Sequence, residues 1–147
     1  MSDPIYRLVY YSRNAILGDA DKLSTEISSI LAKSQANNER VGVTGALMFN
    51  SGCFAQVLEG SRLAVEEVFE RIQQDDRHGE VSLLAFEPSP SRAFENWSMG
   101  FVGASIAESV RYGAIVQESG FDPARMTGEA LFETLHTLAL EEERSAA

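Results

Sequence analysis

The chain has 147 residues, 44% of them hydrophobic, and a net charge of −10, which suits one domain with a small appendage and excludes a disordered chain. The acidic balance argues against a large nucleic-acid footprint or an anionic membrane surface, so neither nucleic acid nor membrane is expected as a partner. A lone cysteine, Cys53, permits no intrachain disulfide, and no charged-then-apolar leader opens the chain, so the expected location is cytoplasmic.

The first element is "IYRLVYY" (5–11). It alternates, with Tyr6, Leu8 and Tyr10 on one face and Ile5, Arg7, Val9 and Tyr11 on the other, and reads as a strand. Leu23, Ile27, Ile30, Leu31 and Ser34 then recur at helical spacing, with Asp19 or Asp21 as caps and an end near Asn37 or Asn38. "VGVTGALMF" (41–49) is a second strand, "NSG" (50–52) a turn, and "CFAQVLEG" (53–60) the antiparallel return. Leu63, Val65, Val68, Phe69 and Ile72 mark a second amphipathic helix opened by Ser61. "VSLLAFE" (81–87) is a fourth strand, "PSPSR" (88–92) a loop, and "WSMGFVG" (97–103) a short fifth strand.

This order, β-α-β-β-α-β-β over about residues 5–103, predicts an α+β, ferredoxin-like sheet with two helices on one face. Residues 1–103 read as one domain and 104–147 as a C-terminal helical extension. Within the extension, Ser105 and Glu108 form a capping box. Thr127 then caps a helix whose stripe is Leu131, Leu135 and Leu138. That stripe suits either the free face of the sheet or a partner's surface.

Three polar groups fall on predicted core faces: Tyr10 beside Leu8, Gln56 between Phe54 and Leu58, and the "SQANN" run (34–38) that carries Asn37 and Asn38 at the end of the helical stripe. Burying an amide without partners costs roughly 1–3 kcal/mol. Such groups either satisfy one another and nearby backbone, which is the ordinary outcome, or converge on a planar ligand with amide-like edges held between the helices.

These residues resemble the BLUF family, the blue-light sensors that use FAD. "YRLVYYSR" looks like the family's first strand with its photoactive tyrosine at Tyr10. "SQANN" looks like the flavin-binding helix end, with the key asparagine at Asn38 and its neighbour at Asn37. "TGALMFNSGCFAQVLEG" resembles the most diagnostic segment and places the key glutamine at Gln56. "VFERIQQDDRH" is similar to the second helix, whose cofactor contacts map to Arg71 and Asp75. "RAFENWSMGF" looks like the last strand, with Trp97 and Met99 at its signal-transmitting positions.

The resemblance implies a non-covalently bound FAD, with FMN or riboflavin as the other candidates. It implies that Asn38 holds the C4 carbonyl and N3 edge of the ring, and that Gln56 bridges the Tyr10 phenol and the flavin. Light would draw an electron from Tyr10 and a proton through Gln56, leaving that amide rotated, tautomerised or both. It further implies a photoreceptor that is not an enzyme, signals in trans to an unidentified protein, and forms a homo-oligomer. From the residues alone, Arg71 among Glu66, Glu67 and Glu70 reads as a surface ion pair. Asp75 reads as a cap or a solvated group, and Trp97 and Met99 as core packing. Two rivals stay open: a flavin-dependent redox enzyme, and a ligand-free interaction module. His78 and His136 have no ligand partners at metal spacing, so no metal is expected.

Overall fold

A computed structural model describes residues 4–14, 20–50, 53–74, 78–94, 99–101 and 127–146. Its elements are β1 (Ile5–Asn14), α1 (Ala20–Val41), β2 (Thr44–Asn50), β3 (Cys53–Gly60), α2 (Arg62–Gln74), β4 (His78–Ser89), β5 (Gly100–Phe101) and α3 (Gly128–Ala146). The sheet runs β4-β1-β3-β2-β5. The first four strands are antiparallel neighbours, and β5 joins β2 in parallel through Ala46–Gly100 and Leu47–Phe101. The architecture is the expected ferredoxin-like one, with a short fifth strand on the rim.

Alternation sorts the core into two layers. Phe54 and Leu58 of β3 join Leu8 and Leu47 beneath Ile27 and Ile30 of α1 and Val65 and Val68 of α2. Ala55 and Val57 point the other way, with Val9, Ala46 and Met48, and are covered by Leu131, Leu135 and Ala139 of α3. The C-terminal helix therefore closes the sheet's second face, with Leu138 half-buried beside it. Covering both faces explains why β3 is buried from Phe54 to Gly60, and apolar burial of this kind is the main favourable term holding the layers together.

Helix ends follow their local chemistry. The Ser61 hydroxyl accepts from Ala64 N–H at 3.2 Å and caps α2, and the Thr127 hydroxyl accepts from Ala130 N–H at 3.1 Å and caps α3. α1 runs past the predicted end at Asn37 or Asn38 to Val41. What stops it is Gly42, at φ 75°, after which Val43 N–H turns back to the Asn38 carbonyl at 2.9 Å. A left-handed glycine with this bond is a common way for a helix to satisfy its last carbonyls. β2 accordingly begins at Thr44, later than the pattern predicts.

Other departures have physical reasons. Leu63, predicted on the core stripe of α2, is 78% exposed. It lies half a turn out of phase with Val65, Val68 and Ile72 at 100° per residue, and Ala64 packs in its place. β1 continues past Tyr11 because Arg13 still pairs with Cys53 and Gly79. β4 begins early, at His78, and extends through Pro88, predicted as loop. It is a rim strand, where a residue without an N–H is tolerated. The β1–β4 ladder also shifts register between Val9–Ala85 and Tyr10–Leu83. This bulge turns Leu84 and Ala85 to the same side, towards α3. Of the predicted fifth strand, Gly100–Phe101 is observed. Met99 is described and precedes the strand as a bend; the remaining residues of that stretch, and the predicted capping box at Ser105, lie outside the described residues.

Candidate functional site

The β1–β3 register sets Tyr10 directly opposite Gln56, and the β2–β3 register sets Leu47 on the other side of Gln56. Leu47 pairs in turn with Phe101 of β5, which brings Met99 alongside. The three side chains meet on the helix side of the sheet, where Tyr10 is 0%, Gln56 3% and Met99 2% exposed. The Tyr10 hydroxyl donates to Gln56 Oε1, and Gln56 Nε2 donates to the Met99 sulfur at 3.1 Å. One amide thus accepts from a phenol and donates to a thioether, using both of its chemically distinct ends. The Tyr10 ring also packs against Phe69 of α2, with centroids 5.3 Å apart.

α1 supplies the neighbouring polar groups. Asn38 is buried, and its Oδ1 accepts no hydrogen bond among the described residues, although the residue is engaged elsewhere. Asn37 lies at the stripe's edge and meets Arg71. Its Oδ1 accepts from the Arg71 guanidinium of α2 and from Arg40 at 2.7 Å. Arg71 also forms an ion pair with Glu67 at 3.7 Å, so the surface pairing expected of it is present alongside the cross-helix contact. Asp75 and Trp97 lie outside the described residues. Gln35 was not singled out by sequence reasoning, yet its Nε2 donates to the Met99 carbonyl at 2.9 Å. Its position in the same "SQANN" run, three residues before Asn38, was the available signal.

The opposite face holds a second polar cluster that sequence reasoning missed. Glu59 is fully buried. Its carboxylate accepts from Arg7 Nε at 2.9 Å, from Ala93 N–H at 2.9 and 3.0 Å, and from Phe94 N–H at 2.9 Å. Arg92 adds bonds to the Glu59 and Gly42 carbonyls and the Thr44 hydroxyl. The Arg7 guanidinium lies 3.9 Å from the Phe132 ring centroid on α3, a cation–π contact. Phe132 stacks on His136. The signal in the sequence was a pair of opposite charges, Arg7 and Glu59, each on an otherwise apolar strand face.

Residues 5–100 match the family model described as BLUF, sensors of blue-light using FAD. The chain belongs to the BLUF family. It is similar to the photoactivated adenylate cyclase subunit beta of Euglena longa, at 31% identity over 75 residues, 50% of this chain and 9% of that one. It is also similar to the blue light- and temperature-regulated antirepressor BluF of Escherichia coli (strain K12), at 32% over 74 residues, 50% of this chain and 18% of that one. The BLUF chain therefore spans only a small part of these curated relatives. Among solved structures, the dark state of BlrB aligns with TM-score 0.73 and 31% identity over 97% of this chain and 99% of that chain. The ground state of BlsA aligns with TM-score 0.74 and 26% identity over 91% and 87%.

BLUF domains are blue-light-sensing modules that bind flavin. The helix-side residues of this BLUF chain fit such a group. Asn38 is a buried amide on α1 that can both accept from an N–H and donate to a carbonyl, and the edge of a flavin ring offers both groups. The Gln56 amide can donate or accept at a neighbouring edge. Among the described residues, no helix is long and apolar enough to cross a membrane.

Proposed function

We propose that this chain is a cytoplasmic blue-light photoreceptor that holds FAD non-covalently between α1 and α2 and signals to a partner protein in trans, without catalysing a reaction. The observation that carries the reading is the buried run from Tyr10 through Gln56 to Met99, in a chain matched by the BLUF model over residues 5–100. Bound flavin would supply the visible absorption and a transient acceptor for an electron. Asn38, with Asn37, Arg71 and Asp75 as further candidates, would hold and orient it.

The protein's own part is to hold and move a proton. The Tyr10 hydroxyl already directs its hydrogen at Gln56 Oε1, so transfer between them needs no prior rearrangement. Gln56 can then turn its amide end for end or exchange tautomers. Either change alters what it offers to Tyr10 and to the Met99 sulfur. Burial makes the change consequential, because an unmatched donor or acceptor there has no water to turn to. Met99, with Trp97 near it in sequence, would carry the change into β5. Output through contacts and a homo-oligomer are part of the same reading.

The test is a light-minus-dark absorption spectrum of the purified, FAD-loaded protein. The expected result is a small reversible red shift, abolished in Tyr10→Phe and in Gln56→Leu. A colourless protein that takes up no FAD, or loaded protein whose bands do not move under blue light, would overturn the reading. Light scattering in the dark and under illumination tests the oligomer, and a strict monomer in both would remove that part.

A further inference from the structure

Among the described residues, two ladder pairs hold β5 to the sheet, and Met99 stands just before them. Strand pairing by itself therefore fixes the Met99 thioether poorly. The α1 side chain Gln35 makes up the difference. Its Nε2 donates to the Met99 carbonyl at 2.9 Å, while the sulfur of the same residue accepts from Gln56 Nε2 at 3.1 Å. We infer that Gln35 is a positioning residue of the light-sensing network: by tying the Met99 backbone to α1, it holds the sulfur where it favours one orientation of the Gln56 amide. The inference rests on the photoreceptor reading above.

The bias follows from the chemistry of sulfur. A thioether accepts weakly and cannot donate. With the sulfur held in place, the Gln56 amide makes two bonds when Nε2 faces Met99 and Oε1 faces the Tyr10 hydroxyl. Turned end for end, it presents an oxygen to an atom with no hydrogen to give. Releasing the Met99 backbone lets the sulfur draw away, and the reversed amide is then penalised less. Gln35 also sits three residues before Asn38, on the same helical turn, so α1 supports both Met99 and the proposed flavin contact. Gln35 itself is exposed on α1, so replacing it need not disturb the core.

The experiment follows dark recovery of the full-length, FAD-loaded protein after a blue pulse. Gln35→Glu keeps the shape and, when ionised, removes the donor; Gln35→Lys keeps a donor. Recovery in Gln35→Glu should slow by about fivefold, the rate equivalent of one ordinary hydrogen bond, while Gln35→Lys stays within about twofold of native. In a Met99→Ala background the same Gln35→Glu change should alter recovery by less than about 1.5-fold, because the sulfur it acts through is gone. Recovery in Gln35→Glu equal to or faster than native overturns the inference, as does a lowered melting temperature with unchanged recovery. An undiminished effect in the Met99→Ala background also overturns it. A native protein that shows no red shift refutes the photoreceptor reading instead, so the two failures are distinguishable.

Discussion

Glu59→Gln is the most informative single change to the scaffold. The substitution keeps size and shape but replaces one carboxylate oxygen by an amide donor. Glu59 accepts from Arg7 and from the N–H groups of Ala93 and Phe94, so at least one of these donors must lose its acceptor. A buried N–H left unmatched costs about 1–3 kcal/mol, and a hydrogen bond to a charged group contributes about 1.5–3 kcal/mol. The Arg7 side chain is 20% exposed, so water recovers part of its loss, and the combined cost comes to about 3 kcal/mol, the low end for breaking a buried pair. For a chain of this size that is a fall in Tm of roughly 6–12 °C. Thermal unfolding followed by circular dichroism measures it. Amide exchange locates it, since the Ala93 and Phe94 N–H groups should lose protection first. A fall of less than about 2 °C, with exchange at those two amides unchanged, would refute the view that this carboxylate anchors the segment leading to β5.

Gly42→Ala should cost about 1–2 kcal/mol, read as a shifted unfolding midpoint. An added Cβ there meets nothing within 4 Å, so the penalty is purely that of the left-handed backbone, and Gly42→Asn should cost less. Thr127→Ala removes the α3 cap and should cost about 1 kcal/mol, with faster exchange confined to the first turn of α3. Gly128→Ala would set a Cβ 2.7 Å from the Ala85 Cβ and 3.0 Å from the Leu84 carbonyl. It should lower stability by about 1–3 kcal/mol and change near-ultraviolet circular dichroism from the Phe94–Phe132 region.

Much of the fold was legible because alternation and helical period carry the burial pattern directly. Tyr10 and Gln56 declared a shared face through Leu8, Phe54 and Leu58, and Leu131 and Leu135 declared a helix with something to cover. Ser61 and Thr127 are caps in sequence and in structure. The pattern failed where tertiary pairing overrides it. Pro88 belongs to a strand because that strand is on the rim, and Gly42 rather than Asn38 ends α1 because only the glycine takes the left-handed turn. In β4, strict alternation would separate Leu84 from Ala85, and the bulge puts them together. At the site, Tyr10 and Gln56 could be placed on core faces from alternation, but the meeting of Met99 with Gln56 could not be anticipated, because Trp97 and Met99 alternate onto the same face. Nor could the Gln35–Met99 bond, because it joins an exposed helix position to a backbone carbonyl 64 residues away in the chain. Arg7 and Glu59 each stand out as a charge on an apolar strand face, whereas the N–H donors from Ala93 and Phe94 have no local signature.

The bulge in β4 lies where α3 begins its contact with the sheet. The first turn of α3 sits on Leu84 and Ala85, where the extra residue already interrupts the ladder. Further along, the helix is held by apolar side chains and by the Arg7–Phe132 contact. Undocking it would expose a greasy surface yet leave strand pairing intact. The sheet and its C-terminal cover are therefore held by different forces, backbone ladders in the one and buried side chains such as Leu131 and Leu135 in the other.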